Sequence, residues 1–135
     1  MERVSLAANL KQYYFTLAFE LVPSQISYED FARVDIRVGK ILEVLDFPEA
    51  RKPAYKLKLD FGNEVGLKWS SAQLTKRYAK GDLVERKIIA VVNFSPKKVA
   101  NFTSEVLVLG VDDGDGGIIL LSPESEDAPL GMRVY

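Results

Sequence analysis

Cysteine and histidine are both absent from this 135-residue chain. With them go disulfide staples, thiol nucleophiles, Ser-His-Asp triads and the usual Cys/His zinc sites. An excess of positive charge is missing too, since 18 Lys/Arg face 19 Asp/Glu for a net charge of −1. Binding to nucleic acid through bulk charge is therefore not what the composition supports. No apolar run is built to cross a bilayer. The first 25 residues, MERVSLAANLKQYYFTLAFELVPSQ, are interrupted by Lys11 and Glu20 and lack a small-residue cleavage site after an apolar core, so neither membrane insertion nor a signal peptide is expected. A cysteine-free chain also fits a reducing compartment, and the cytoplasm is the default location.

What is present is globular. Hydrophobic residues make up 47% and charged residues 27%, and the length suits one domain with one core. Charge is segregated along the chain: residues 61–104 carry a net +5 and residues 105–135 a net −6. Leu6, Leu10, Tyr13, Leu17 and Leu21 follow helical spacing, and Pro23 closes the pattern. Residues 1–26 thus read as an N-terminal extension carrying an amphipathic helix, and residues 27–135 as the domain. Ser27 and Asp30 form an N-cap pattern opening a short helix over SYEDFARV, in which Phe31 and Val34 share a face.

The period then changes. Val34–Phe47 reads as a strand with a bulge at Gly39, and AYKLKLDFG alternates Tyr55, Leu57, Leu59 and Phe61 with Lys56, Lys58 and Asp60, giving one buried and one wet face. VGLKW is a third strand, and SSAQLTKRYAKG a helix capped by Ser70 and Gln73. IIAVVNF and EVLVLGV are a fourth and fifth strand, and DDGDGG turns the chain into IILL as a hairpin. Three strands, a helix, then further strands suit an all-β fold with short helices: a five-stranded Greek-key barrel of the OB type, helix between strands three and four, with an α+β sandwich as the competitor.

Asp112, Asp113 and Asp115 lack the spacing and terminal Glu of an EF-hand, so the loop reads as an Asp-Gly turn, and no metal or cofactor is expected. No acid, base and nucleophile cluster credibly, which argues against an enzyme. Four features instead fall at strand ends: Arg51 and Lys52 after strand one; Lys68, Trp69, Ser70, Ser71 and Gln73 closing strand three; Lys97 and Lys98 in a turn flanked by Asn93, Asn101 and Phe102; and Ser104 and Glu105 opening strand five. Cationic loops with aromatic and amide neighbours supply what single-stranded nucleic acid needs, although a lone SPKK also describes a solvated turn and a lone Trp69 a core residue.

VDIRVGKILEV, NFSPKKVANFTSEVLVLGV and ILLSPESEDAPLGMRV, in that order, resemble blocks of the tRNA-binding domain family, over residues 27–135. FARVDIRVGKI, ARKPAYKLKLDFG, KWSSAQLT and SEVLVLGV resemble the version found in the CsaA secretion chaperones. The chain has Phe47-Pro48 where the tRNA-binding members carry His-Pro, and Ser104-Glu105-Val106-Leu107 where they carry Ser-x-Gly-Met. The resemblance implies an OB-fold homodimer built by the segments near Phe31, Val34, Val134 and Tyr135. It also implies a non-enzymatic, export-related chaperone for unfolded precursor peptides that retains a tRNA-binding groove. That groove would hold Asn93, Lys97, Ser104 and Glu105, with Ser70, Ser71 and Gln73 beside it, Arg51, Lys52 and Lys98 on phosphates and an apolar pocket near Phe102. A free-standing tRNA-binding protein accessory to tRNA metabolism is the alternative.

Overall fold

The computed structural model describes residues 23–135, so the amphipathic helix read over the first 22 residues lies outside the described part. The described residues fall into two units, residues 23–31 and 32–135. In the first, Ser27 and Asp30 form the expected reciprocal cap: Asp30 N–H donates to Ser27 Oγ at 3.2 Å and Ser27 N–H to Asp30 Oδ2 at 3.1 Å. This opens helix α1, Tyr28–Ala32, and Val34 lies beyond its end.

In the second unit, strands β1 (Ile36–Asp46), β2 (Tyr55–Asp60), β3 (Leu67–Ala72), β4 (Lys87–Val91) and β7 (Leu107–Val108) form one antiparallel sheet ordered β3-β2-β1-β4-β7. Two small hairpins, β5 (Lys97–Val99) with β6 (Phe102–Ser104) and β8 (Gly110–Asp112) with β9 (Ile118–Leu120), complete the β-structure. Short helices α2 (Gly62–Val65) and α3 (Lys80–Leu83) follow β2 and precede β4. The result is the nearly closed five-stranded barrel expected of an OB-type fold.

Strict alternation on β2 drives this closure. Tyr55, Leu57 and Leu59 are buried and Lys56, Lys58 and Asp60 are not, and the inner set meets Ile41, Phe61, Leu83, Ile88 and Ala90 in the core. The irregularity in β1 sits between Ile41 and Glu43 rather than at Gly39. Gly39 has a different role: a Cβ there would lie 2.6 Å from the Phe61 ring, so the missing side chain makes room for the largest fully buried residue. The first half of β1 pairs with β4 on one side. Its other side takes the C-terminal segment, with Gly131 N–H on the Val38 carbonyl and Val134 N–H on that of Ile36, each at 2.8 Å. Arg37 locks that strap, reaching Asp35 with two nitrogens (2.6 and 3.2 Å), Glu64 at 3.1 Å and the Gly131 carbonyl at 2.9 Å. The paired Asp35 carboxylate raises the Arg37 pKa further above its ordinary value.

Three expected elements differ. The fifth strand read over EVLVLGV is split into β7 on the main sheet and β8 in the second hairpin, with Glu105 and Val106 outside both. Residues 70–72 continue β3 instead of starting a helix, because Ser70 faces inward opposite Leu57 and its hydroxyl finds carbonyl partners there. Only one turn at Leu74–Tyr78 and the short α3 remain of the helix read over SSAQLTKRYAKG, and Gly81 lies inside α3. Lys97 and Lys98 likewise belong to β5 rather than to a turn; the reversal falls after them, where Ala100 takes φ 56°. The DDGDGG hairpin is present: Asp113 Oδ1 accepts Asp115 N–H at 2.7 Å and Gly117 N–H at 2.9 Å, and Arg77 reaches its other oxygen at 3.2 Å. Those backbone donors, then the Arg77 charge, hold the Asp113 carboxyl below the usual carboxylate range.

Candidate nucleic-acid or peptide interface

The barrel closes between β3 and the β6–β7 stretch without a strand ladder. Glu105 N–H donates to the Trp69 carbonyl at 2.8 Å, and Glu105 Oε1 accepts the Trp69 N–H at 2.9 Å. Two residues along β3, Ser104 Oγ accepts Ser71 N–H at 3.0 Å, and the fully buried Ser70 hydroxyl donates to the Val106 carbonyl at 3.0 Å. Side-chain oxygens thus stand in for the backbone acceptors that a paired strand would supply.

Directly over this seam lies a cluster of rings. Phe102 of β6 meets Phe47, just past β1, edge-on at 5.4 Å between centroids, and Trp69 of β3 edge-on at 6.0 Å. Edge-to-face contact is the geometry that ring quadrupoles favour. Lys56 of β2 places its ammonium 4.9 Å from the Phe47 centroid and 5.4 Å from that of Phe102, a cation–π arrangement worth ~0.5–2 kcal/mol depending on desolvation. Register explains the grouping. Lys56 pairs with Leu45 on one side and Ser71 on the other, and Trp69 pairs with Lys58, so all point to the outer face. Leu45, Lys56, Trp69, Asn101, Phe102, Thr103 and Glu105 line an open cavity of ≈ 410 Å³ there.

The residues singled out from sequence distribute unevenly about this cavity. Phe102, Trp69 and Glu105 line it, and Ser71 and Ser104 are bonded to each other at its seam. Lys97 and Lys98 are exposed on β5, directly opposite Ser104 and Thr103. Arg51 and Lys52 are exposed in the β1–β2 loop and Gln73 just past β3, all outside the cavity lining. Lys68 pairs with buried Leu59 and so sits on the opposite face of β3 from Trp69. Ser70 has no exposed surface, which removes it from ligand contact as the barrel stands. Asn93 is a clamp: its Oδ1 accepts Asp35 N–H at 2.9 Å and its Nδ2 donates to the Arg33 carbonyl at 2.8 Å. Of the residues assigned to a dimer interface, Phe31, Val34 and Val134 are half-buried and Tyr135 is 98% exposed.

Of the residues at this site, Leu45, Phe47, Lys56 and Thr103 do not stand out in the sequence as binding residues, whereas Asn101 does. Leu45 remains 44% exposed, and nothing in its sequence neighbourhood marks it, since its strand-period neighbours are Glu43 and Phe47.

Comparison with known proteins gives this site a context. A family model described as "Putative tRNA binding domain" matches residues 36–133. The chaperone CsaA of Picrophilus torridus is similar at 55% identity and TM-score 0.76, covering 82% of this chain and 100% of its own. CsaA of Bacillus anthracis is similar at 48% identity and TM-score 0.77, covering 83% of this chain and 100% of its own. The methionine–tRNA ligase of Thermococcus onnurineus is 41% identical over 81% of this chain, but the match spans 14% of the ligase.

Proposed function

This chain belongs to the tRNA-binding domain family, and from that premise we propose that it is a non-enzymatic, CsaA-like binding protein whose ring-lined cavity and lysine rim hold extended polymers, single-stranded segments of tRNA among them. The observation that carries the reading is the Lys56–Phe47–Phe102–Trp69 cluster beside an open cavity on the outer β2–β3 face. That is the OB-fold surface used for oligonucleotides, and it combines ring faces for bases with cations for phosphate. Among the described residues no carboxylate lies within ion-pair distance of Lys56, Lys97 or Lys98.

A second reading is favoured by the likeness to the CsaA chaperones: the same cavity takes an unfolded precursor peptide, its apolar side chains against Leu45, Trp69 and Phe102. In this reading the protein is cytoplasmic, serves export and works as a homodimer through Phe31, Val34, Val134 and Tyr135. Sedimentation showing a monomer at micromolar concentration would remove the dimer.

Titrating unfractionated tRNA and an unfolded precursor, each at two salt concentrations, separates the two ligands. Phosphate binding weakens steeply as salt rises, whereas apolar peptide binding barely changes. Failure of both to bind would end the proposal.

A further inference from the structure

Resting on the reading that this face takes RNA, we propose that the cavity is a subsite for a single unpaired guanine, its ring against Trp69 and Phe102, its acceptor edge on Lys56 and its donor edge on Glu105. The two charged groups carry the inference. Lys56 and Glu105 line the same cavity, yet no ion pair joins them, so opposite charges face a common space wide enough to leave them apart. Glu105 commits one carboxylate oxygen to the Trp69 N–H, and its other oxygen has no donor among the described residues.

A carboxylate in the wall repels phosphate, so the backbone of a bound strand belongs outside the cavity, toward the exposed Lys97 and Lys98 of the adjoining hairpin. What remains for the interior is a planar group offering donors to the carboxylate and acceptors to the ammonium. Guanine alone among the four bases offers adjacent N1–H and N2–H donors beside the O6 and N7 acceptors. Adenine offers one amino group, and uracil a single N3–H between two carbonyls. Unstacked bases in single-stranded RNA are read in this way, by ring stacking plus hydrogen bonds to the Watson–Crick edge.

Trp69 is the chain's single tryptophan and lines this cavity, so its fluorescence reports on it. The test titrates the full chain with heptameric oligouridylates carrying guanine, inosine, adenine or uracil at the centre. Guanine is expected to bind about tenfold more tightly than adenine or uracil, with inosine between because it lacks the N2 amino group. Glu105→Gln keeps an oxygen for the Trp69 N–H but turns an amide donor toward the ligand, so the guanine preference should collapse while the thermal midpoint falls by less than half of the loss in Glu105→Ala. Equal quenching by all four oligonucleotides overturns the guanine subsite and leaves the RNA reading standing. Retention of the preference in Glu105→Gln also overturns it. Quenching by unfolded polypeptide but by no oligonucleotide overturns the subsite and the RNA reading together.

Discussion

Replacing Glu105 by alanine should separate the residue's part in closing the barrel from its part in the cavity. The substitution removes the acceptor 2.9 Å from the Trp69 N–H and leaves that donor in a partly buried seam with no strand beside it. An orphaned donor costs about 1–3 kcal/mol, and partial access to water places this one in the lower half, about 1–2 kcal/mol. The backbone bond from Glu105 N–H to the Trp69 carbonyl does not depend on the side chain and should survive. For a domain of this size the loss corresponds to a thermal midpoint lower by about 4–8 °C. Glu105→Gln, which keeps a neutral acceptor in place, should lose less than half as much. Urea unfolding of the three proteins, with unchanged m-values, is the assay. If alanine and glutamine destabilise equally, the side-chain oxygen is not closing the seam and the account of barrel closure is wrong.

Replacing Lys97 and Lys98 together by alanine should flatten the dependence of log K on log salt for tRNA by about 1.5, two phosphate contacts' worth; an unchanged slope would remove both from the rim. Gly39→Ala should destabilise by about 1–3 kcal/mol, because the new Cβ would stand 2.6 Å from a ring that has nowhere to go; an unaffected melting temperature would contradict the packing. Asp113 has a depressed pKa in the fold, so its contribution to the β8–β9 hairpin is complete above the ordinary carboxylate value and is lost as pH falls through the lowered one. A carboxyl titration by NMR should therefore place its midpoint below that of a model aspartate, and amide exchange at Asp115 and Gly117 should quicken on acidification in step with it.

Much of the barrel could be read from one-dimensional pattern. β2 announces itself because every second residue is apolar, and the Ser27/Asp30 box and the Asp-Gly hairpin are local chemistry that neighbouring residues decide among themselves. Local preference misleads where a distant partner outweighs it. Ser70 with Gln73 looks like a helix start, but β2 offers Ser70 a strand position and Val106 offers its hydroxyl a carbonyl from 36 residues away. Two lysines after a proline look like a turn until Thr103 and Ser104 return to pair with them. The candidate site was legible in part. Phe102, Trp69 and Glu105 stand out in the sequence as polar or aromatic residues at strand ends, whereas Lys56 looks like any wet-face lysine. Its placement over two rings depends on Phe47 and Phe102, which are 55 residues apart in sequence and meet only in the closed barrel. Asn93 and Ser70 show the converse, residues of ligand-binding type whose polar atoms the fold uses for itself.

The central claim is that ligand covers the cavity floored by Trp69 and Phe102, and acrylamide quenching of the single tryptophan tests it most directly. With saturating tRNA or unfolded polypeptide present, Trp69 should become markedly less accessible to acrylamide, and Phe102→Ala should weaken binding about tenfold, as loss of one stacking or apolar contact implies. Binding detected by anisotropy while the quenching constant of Trp69 stays unchanged would place the ligand elsewhere on the barrel and contradict the account.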